Sequence, residues 1–133
     1  MNIKIRQALE ISVAGISSGI DTVWENTSYK PVANVNYQSV SILAIPDDNV
    51  LSDYVRYDGY LYIRLHFCNI GKGVKDIHTR ADTILNTFKK GSVHSKDQID
   101  CIIQKTPEFN LEGVVGDRFV GLIVVQFYTS FTS

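Results

Sequence analysis

A chain of 133 residues has the length of one domain of ordinary size, residues 1–133, which buries roughly two thirds of the surface its unfolded chain would expose. Apolar residues make up 44% and charged residues 20%, and 13 Lys and Arg against 14 Asp and Glu leave a formal net charge of -1. This balance excludes a disordered chain and a diffuse cationic grip on nucleic acid, which needs many contacts to phosphate.

The start, Met1 to Arg6, carries charges inside its first apolar stretch, so a secretory leader is not expected. No segment has the length of a membrane span. The chain is therefore expected to stay where it is made. Its two cysteines, Cys68 and Cys101, lie in strand-like surroundings where they could be neighbours in a sheet; two buried thiols are expected rather than a bridge.

From Asn2 to about Ser17 the residues Ile5, Ala8, Leu9, Ile11 and Ile16 recur near helical spacing, with Lys4, Arg6, Gln7 and Glu10 off the stripe, which predicts a first helix. Ser17, Ser18 and Gly19 supply its stop. A short strand over Val23, Trp24 and Glu25 is predicted next. It holds the only Trp of the chain, expected to anchor the first helix against the sheet, and Lys30-Pro31 ends that strand or the loop behind it. The run from Tyr37 to Ile45 is rich in β-branched residues and reads as a strand with Val40, Ile42 and Ala44 on one face.

After a break at Pro46, the stretch from Tyr54 to Asn69 has the clearest period-two pattern in the chain. Leu61, Ile63, Leu65 and Phe67 fall on one face, and Tyr60, Tyr62, Arg64 and His66 on the other. Tyr57 breaks that pattern, and a bulge at Asp58-Gly59 is expected to account for it. A turn at Gly71-Lys72-Gly73 leads to a second helix with Val74, Ile77, Ala81, Ile84, Leu85 and Phe88 in one stripe, closed by Lys89-Lys90-Gly91. A strand from about Ile99 to Gln104 follows, then Lys105-Thr106-Pro107 and a looser stretch to Gly116. The last strand, from Arg118 to Tyr128, is apolar on both faces and is expected to sit centrally, covered on both sides. The order predicts an α+β fold: a mostly antiparallel β-sheet with two α-helices packed on one face. Loops are expected over Asp47 to Asp53 and Glu108 to Asp117.

No catalytic constellation emerges from these residues. His66, Cys68 and His78 fit no ligand spacing for zinc, His94 reads as part of a polar turn, and no serine sits in a nucleophile elbow. Asp47, Asp48 and Asp53 miss the calcium-loop pattern, and Gly71-Lys72-Gly73 lacks phosphate-loop spacing. No cofactor or metal and no enzymatic activity are expected. Tyr54, Tyr57, Tyr60 and Tyr62 crowd one strand and its approach; an ordinary half-exposed sheet face and a protein interface both fit that pattern.

One ordered set of motifs runs through nearly the whole chain: Ala8-Leu9 in the first helix, Val23-Trp24-Glu25-Asn26 with Tyr29-Lys30-Pro31, Arg56-Tyr57-Asp58-Gly59 leading into a strand, Gly71-Lys72-Gly73, Ala81-Asp82, and Phe88-Lys89-Lys90-Gly91. In this it resembles the small phage tail proteins of the tail terminator, or tail completion, type. The resemblance implies a structural virion protein of the tail and neck, assembled in the host cytoplasm. Such a protein forms a six-membered ring on the finished tail tube, ends its growth and offers the surface to which the head attaches. The implied partners are further copies of the chain, the tail tube protein and the head-tail connector protein, while DNA passes through the ring without specific binding. A ring needs one patch of each subunit to meet a different patch of the next. The expected interface patches are the face of Tyr60, Tyr62, Arg64 and His66 and the loop carrying Asp47 and Asp48. A head-side connector subunit, and a small binding domain using the tyrosine face, are the alternatives.

Overall fold

A computed structural model describes residues 2–25, 27–46, 54–68 and 74–132. Two helices and seven strands follow in the order α1 (Asn2–Gly15), β1 (Asp21–Val23), β2 (Tyr37–Pro46), β3 (Tyr54–Cys68), α2 (Lys75–Thr87), β4 (Val93–Lys96), β5 (Ile99–Ile103), β6 (Glu108–Val115) and β7 (Arg118–Thr132). The strands make one sheet ordered β1-β2-β3-β7-β5-β4, with β6 also paired to β7. All pairings are antiparallel except β1 with β2, so the α+β architecture holds with a mixed sheet. The expected loop over Asp47 to Asp53 and the turn at Gly71-Lys72-Gly73 lie outside the described residues.

Period-two alternation determines which face the helices cover. Leu61, Ile63 and Leu65 of β3 and Ile123, Val125 and Phe127 of β7 are fully buried, and they share one cluster with Ile5, Leu9 and Val13 of α1 and Ile77, Ala81 and Ile84 of α2. Both helices therefore pack on the same side of the sheet, as expected. The opposite side of β7 is only half-buried from Leu122 to Tyr128, so that strand is central but covered on one face. Its outward residues Leu122 and Val124 made it read as buried on both.

Two glycines of the long strands admit aromatic rings into the core. β3 runs through Asp58 and Gly59 in unbroken register with both neighbours, so the expected bulge is absent. Tyr57 shares the core face with Gly59 and packs against the core, which explains its departure from Tyr60 and Tyr62. A Cβ at Gly59 would strike the Leu43 carbonyl oxygen and come within 2.7 Å of the Phe127 ring; at Gly121 it would strike only the Phe109 ring.

Polar side chains tie down the ends of the helices. Gln38 is fully buried in β2. It donates to Ser17 Oγ (2.9 Å) and Thr22 Oγ1 (3.1 Å) and accepts from Arg80 of α2, which also donates to the Ile16 carbonyl just past α1. β1 is thus Asp21–Val23, two residues earlier than expected, with Thr22 drawn to Gln38. Trp24 falls after it, half-buried against the core. Glu25 ion-pairs with Arg6 of α1. The second helix ends at Thr87, which leaves Lys89 and Lys90 beyond its last turn, while Gly91, at φ 84°, donates its N–H to Ile103 O (2.9 Å).

Two strands lie where loops were expected. β6 and β7 form a hairpin over 108–132, with a register shift between Leu111 and Gly113. β4 and β5 form another, closed by Asp97 and Gln98, both at positive φ, as a two-residue hairpin turn requires. His94 is consequently in a strand and buried. Its ring lies 4.6 Å from that of Phe88, with Nδ1 2.7 Å from Ser12 Oγ of α1. Cys101, opposite His94 on β5, is buried, and Cys68, opposite Arg118 on β3, is half-buried; the thiols are free and are not neighbours. Burial and the Asp100 carboxylate push the Cys101 thiol up to about 12.

Two predictions follow from this packing. Gly59→Ala should cost about 3 kcal/mol or more, and Phe127→Leu should not rescue it, because the backbone oxygen of Leu43 remains in place. Gly121→Ala should cost less and should be partly relieved by Phe109→Leu; urea unfolding of the four variants checks both statements. The second concerns His94, which burial holds below its ordinary value of 6.5, with the Thr87 backbone hydrogen bond opposing. The unfolded chain then takes up this proton first, so stability is present above pH 6.5 and falls as the pH drops through that value towards the lower folded one. His94→Asn should flatten the fall, by at most about 1.4 kcal/mol per pH unit, in melting curves between pH 7.5 and 5.

Candidate functional site

The side of the sheet away from the helices is built by outward residues of four consecutive strands, β2, β3, β7 and β6. Its rows follow from register. Tyr37 lies beside His66 and Val120; Ser39 beside Arg64, Leu122 and Asn110; Ser41 beside Tyr62, Val124 and Glu108; and Leu43 beside Tyr60 and Gln126. Strand alternation thus brings Tyr60, Tyr62, Arg64 and His66 together on one face, as the sequence pattern predicts. Asp47 and Asp48 lie outside the described residues. Trp24 stands apart, against the core on the other side of the sheet.

Aromatic contacts stiffen both ends of this face. The rings of Tyr60 and Tyr62 stack at 6.0 Å, and those of Tyr37 and His66 lie nearly parallel at 4.3 Å, with Tyr29 at 4.9 Å from Tyr37. Arg118 then closes the His66 end. Only 8% exposed, it donates to the carbonyls of Val35 (2.6 Å) and Val32 (2.9 Å), and its guanidinium lies 5.0 Å from the Tyr37 ring centre. This clamp fixes the exposed loop between β1 and β2 against the sheet. Burial, then the nearby Arg64 and Arg118, lower the His66 pKa, with Glu112 opposing.

Two arginines of the face are each paired with a carboxylate within it. Arg64 pairs with Glu112 of β6 at 3.0 Å, and Arg56 pairs with Asp58 at 2.9 Å while lying over the Tyr128 ring. Such exposed pairs add little stability, about 0–1 kcal/mol each. Around these pairs the face carries the rings of Tyr37, Tyr60 and Tyr62 and the side chains of Leu122 and Val124, interspersed with Ser39, Ser41, Asn110, Glu108 and Gln126. Shallow grooves cross it, one of them about 570 Å³ and lined by Tyr37, Arg64, His66, Glu112, Arg118 and Val120, among others.

Among the described residues, no group of three His, Cys, Asp or Glu side chains could hold a metal ion. His78 instead meets the Phe109 ring edge-on at 5.2 Å. What the arrangement supplies is contact area: half-buried rings and aliphatic side chains with hydroxyl tips.

Sequence reasoning missed Tyr37, Glu112 and Arg118 as members of this face. A charge opening the otherwise apolar run of β7 was a signal for Arg118. The alternation Glu108-Phe109-Asn110-Leu111-Glu112 was one for β6, hidden by the glycines that follow. Tyr37 joins only through register, which no local pattern reveals.

Known proteins offer two points of comparison. A solved structure is similar to this chain at a TM-score of 0.75 and 16% identity, covering 96% of this chain and 93% of the other, a likeness of fold. No curated protein sequence matches. The sequence profile described as "Phage tail terminator protein" matches residues 4–112, from the first turn of α1 into β6. That span takes in both helices, β1 to β5 and the first residues of β6, well over half of the chain, so the chain belongs to the phage tail terminator protein family, a structural component of the phage tail.

Proposed function

We propose that the protein caps the finished tail tube as a ring, ends tube polymerisation and presents the surface to which the head attaches. The observation that carries this reading is the helix-free sheet face, together with membership of the family. The fold covers one side of its sheet and leaves the other with half-buried tyrosines and internally paired charges. Aromatic area with a polar tip, depleted of free charge, is the composition of an interface core.

In the ring, Tyr60, Tyr62, Arg64 and His66 belong to a contact patch, and the segment carrying Asp47 and Asp48 to another. A six-fold ring would need one surface of each copy to meet a different surface of the next. The ring would sit at the neck between the tail tube protein and the head-tail connector protein. A net charge of -1 suits a passage through which DNA slides, since tight binding would need many phosphate contacts.

Tyr60→Lys with Tyr62→Lys should abolish binding to tail tubes in co-sedimentation; because both rings are half-buried and stack on each other, the pair should also cost about 1–3 kcal/mol, read as a loss of several degrees in melting temperature. Phage lacking the protein should make tails of uneven length that fail to join heads, and the double variant should not rescue them. Uniform, head-joined tails in the deletion phage would overturn the assignment.

A further inference from the structure

Beside the outer sides of the short strands β1 and β4, two longer strand edges have no strand neighbour among the described residues. β1 pairs only with Tyr37, Gln38 and Ser39, so residues 40–46 of β2 have a strand neighbour on one side alone among the described residues. β6 pairs with β7 and, among the described residues, with nothing on its other side. A row of free N–H and C=O groups is a template for another strand. Arg6 already donates to the Ile42 carbonyl at 3.1 Å, serving one acceptor of the β2 edge with a side chain.

Both edges also expose apolar side chains. On β2, Leu43 and Ile45 are about half exposed; on β6, Leu111, Val114 and Val115 are 40%, 55% and 68% exposed. Leu111 lies in the row of Phe109, on the core side of the sheet, and still meets solvent. β6 therefore extends past the cover of the helices.

Strand polarity decides how two copies could meet. From β2 through β3 and β7 to β6 every pairing is antiparallel, so β2 and β6 run in opposite directions. A block of four alternating strands can follow another block without breaking the alternation, whatever the number of copies. Self-pairing is less favourable. Two β6 edges would bring Glu108 and Glu112 of one copy towards the same residues of the other, and like charges across a ladder repel. Residues 40–46 of β2 carry no charge and suit β6 as a partner. Pairing β2 with β2 would leave the apolar β6 edge open.

We propose that copies of this chain join head to tail by strand addition, residues 40–46 of β2 in one copy pairing antiparallel with β6 of the next. The contact is heterologous and closes a ring in which the sheets are continuous. Ile42 and Ala44 join the row of Phe109 and Leu111, while Leu43 and Ile45 join the row of Asn110 and Glu112. This rests on the ring reading above and places the contact between copies at the strand edges, which leaves the face of Tyr60, Tyr62, Arg64 and His66 to the tail tube or the connector.

Paired cysteines test it. Within one subunit β2 and β6 are three strand spacings apart, about 14 Å, beyond the reach of a disulfide. In a Cys68→Ser background, Leu43→Cys is combined in turn with Glu108→Cys, Asn110→Cys or Glu112→Cys, three positions that sample the register. Mild oxidation of at least one pair should give a ladder of covalent oligomers, and neither single cysteine should give any. Dimers from Leu43→Cys alone would mean an isologous contact and overturn the proposal. Oligomers of ring mass in light scattering with no ladder from any pair would overturn it and leave the ring reading standing. A chain that stays monomeric at high concentration, alone and with tail tubes, would overturn both. Reduced variants must melt with the parent, which separates a lost contact from a lost fold.

Discussion

The pairing of β3 with β7 is the constraint on which the rest of the fold depends. Each strand has 15 residues, and their register is unbroken from Tyr54 opposite Thr132 to Cys68 opposite Arg118. The outer edge of β3 takes β2, and that of β7 is divided: β6 holds its first half and β5 meets Tyr128 and Phe127 near its end. Right-handed twist accumulates over strands this long, so their faces must bend around what they cover. Gly59 and Gly121 permit this by letting Phe127 and Phe109 lie where a Cβ would otherwise stand.

Two arginines then fix the segments that the ladders leave free, and both bond to neutral oxygens. Arg80 reaches the Ile16 carbonyl, Ser17 and Gln38. α1 has no basic residue in its last turn, and a cation from α2 takes that place at the negative end of its dipole. Burial lowers the Arg80 pKa, and the guanidinium stays charged because its own value lies so high. Arg118 does the corresponding work for the loop between β1 and β2, holding two of its carbonyls. These planar forks satisfy backbone groups that no strand or helix could reach.

Strong periodicity was readable and weak periodicity was not. The alternation of β3 and the stripe of α2 gave their faces correctly, because Leu61, Ile63, Leu65, Ile77 and Ile84 all answer to one core. β4 has a single buried residue, His94, so its four residues carry no alternation of apolar type. β6 alternates over five residues and then meets Gly113 and Gly116, and its exposed side chains look like those of a loop. β1 is held by Gln38 through Thr22 and by parallel pairing to β2, both distant in sequence. Of the helix-free face, the four residues on β3 were legible because they share one strand. Their neighbours Tyr37, Glu112 and Arg118 arrive from three other strands, through register alone.

How the two sides of the sheet use their polar groups bears on how such a protein would recognise partners. On the helix side polar atoms hold segments in place, and little of them remains for contact. On the open side Arg64 and Arg56 each have a carboxylate in the plane of the face. A partner meeting this face gains from the apolar area of Leu122, Val124 and the tyrosine rings, and it need not break a buried ion pair to do so. Charges already paired steer weakly at long range. In the proposed ring, assembly would then depend on fit between rigid surfaces and on strand edges more than on salt. Rigidity matters here because each copy must present both of its contact surfaces at a fixed angle for a ring to close, and the β3 and β7 pair is the element that sets that angle.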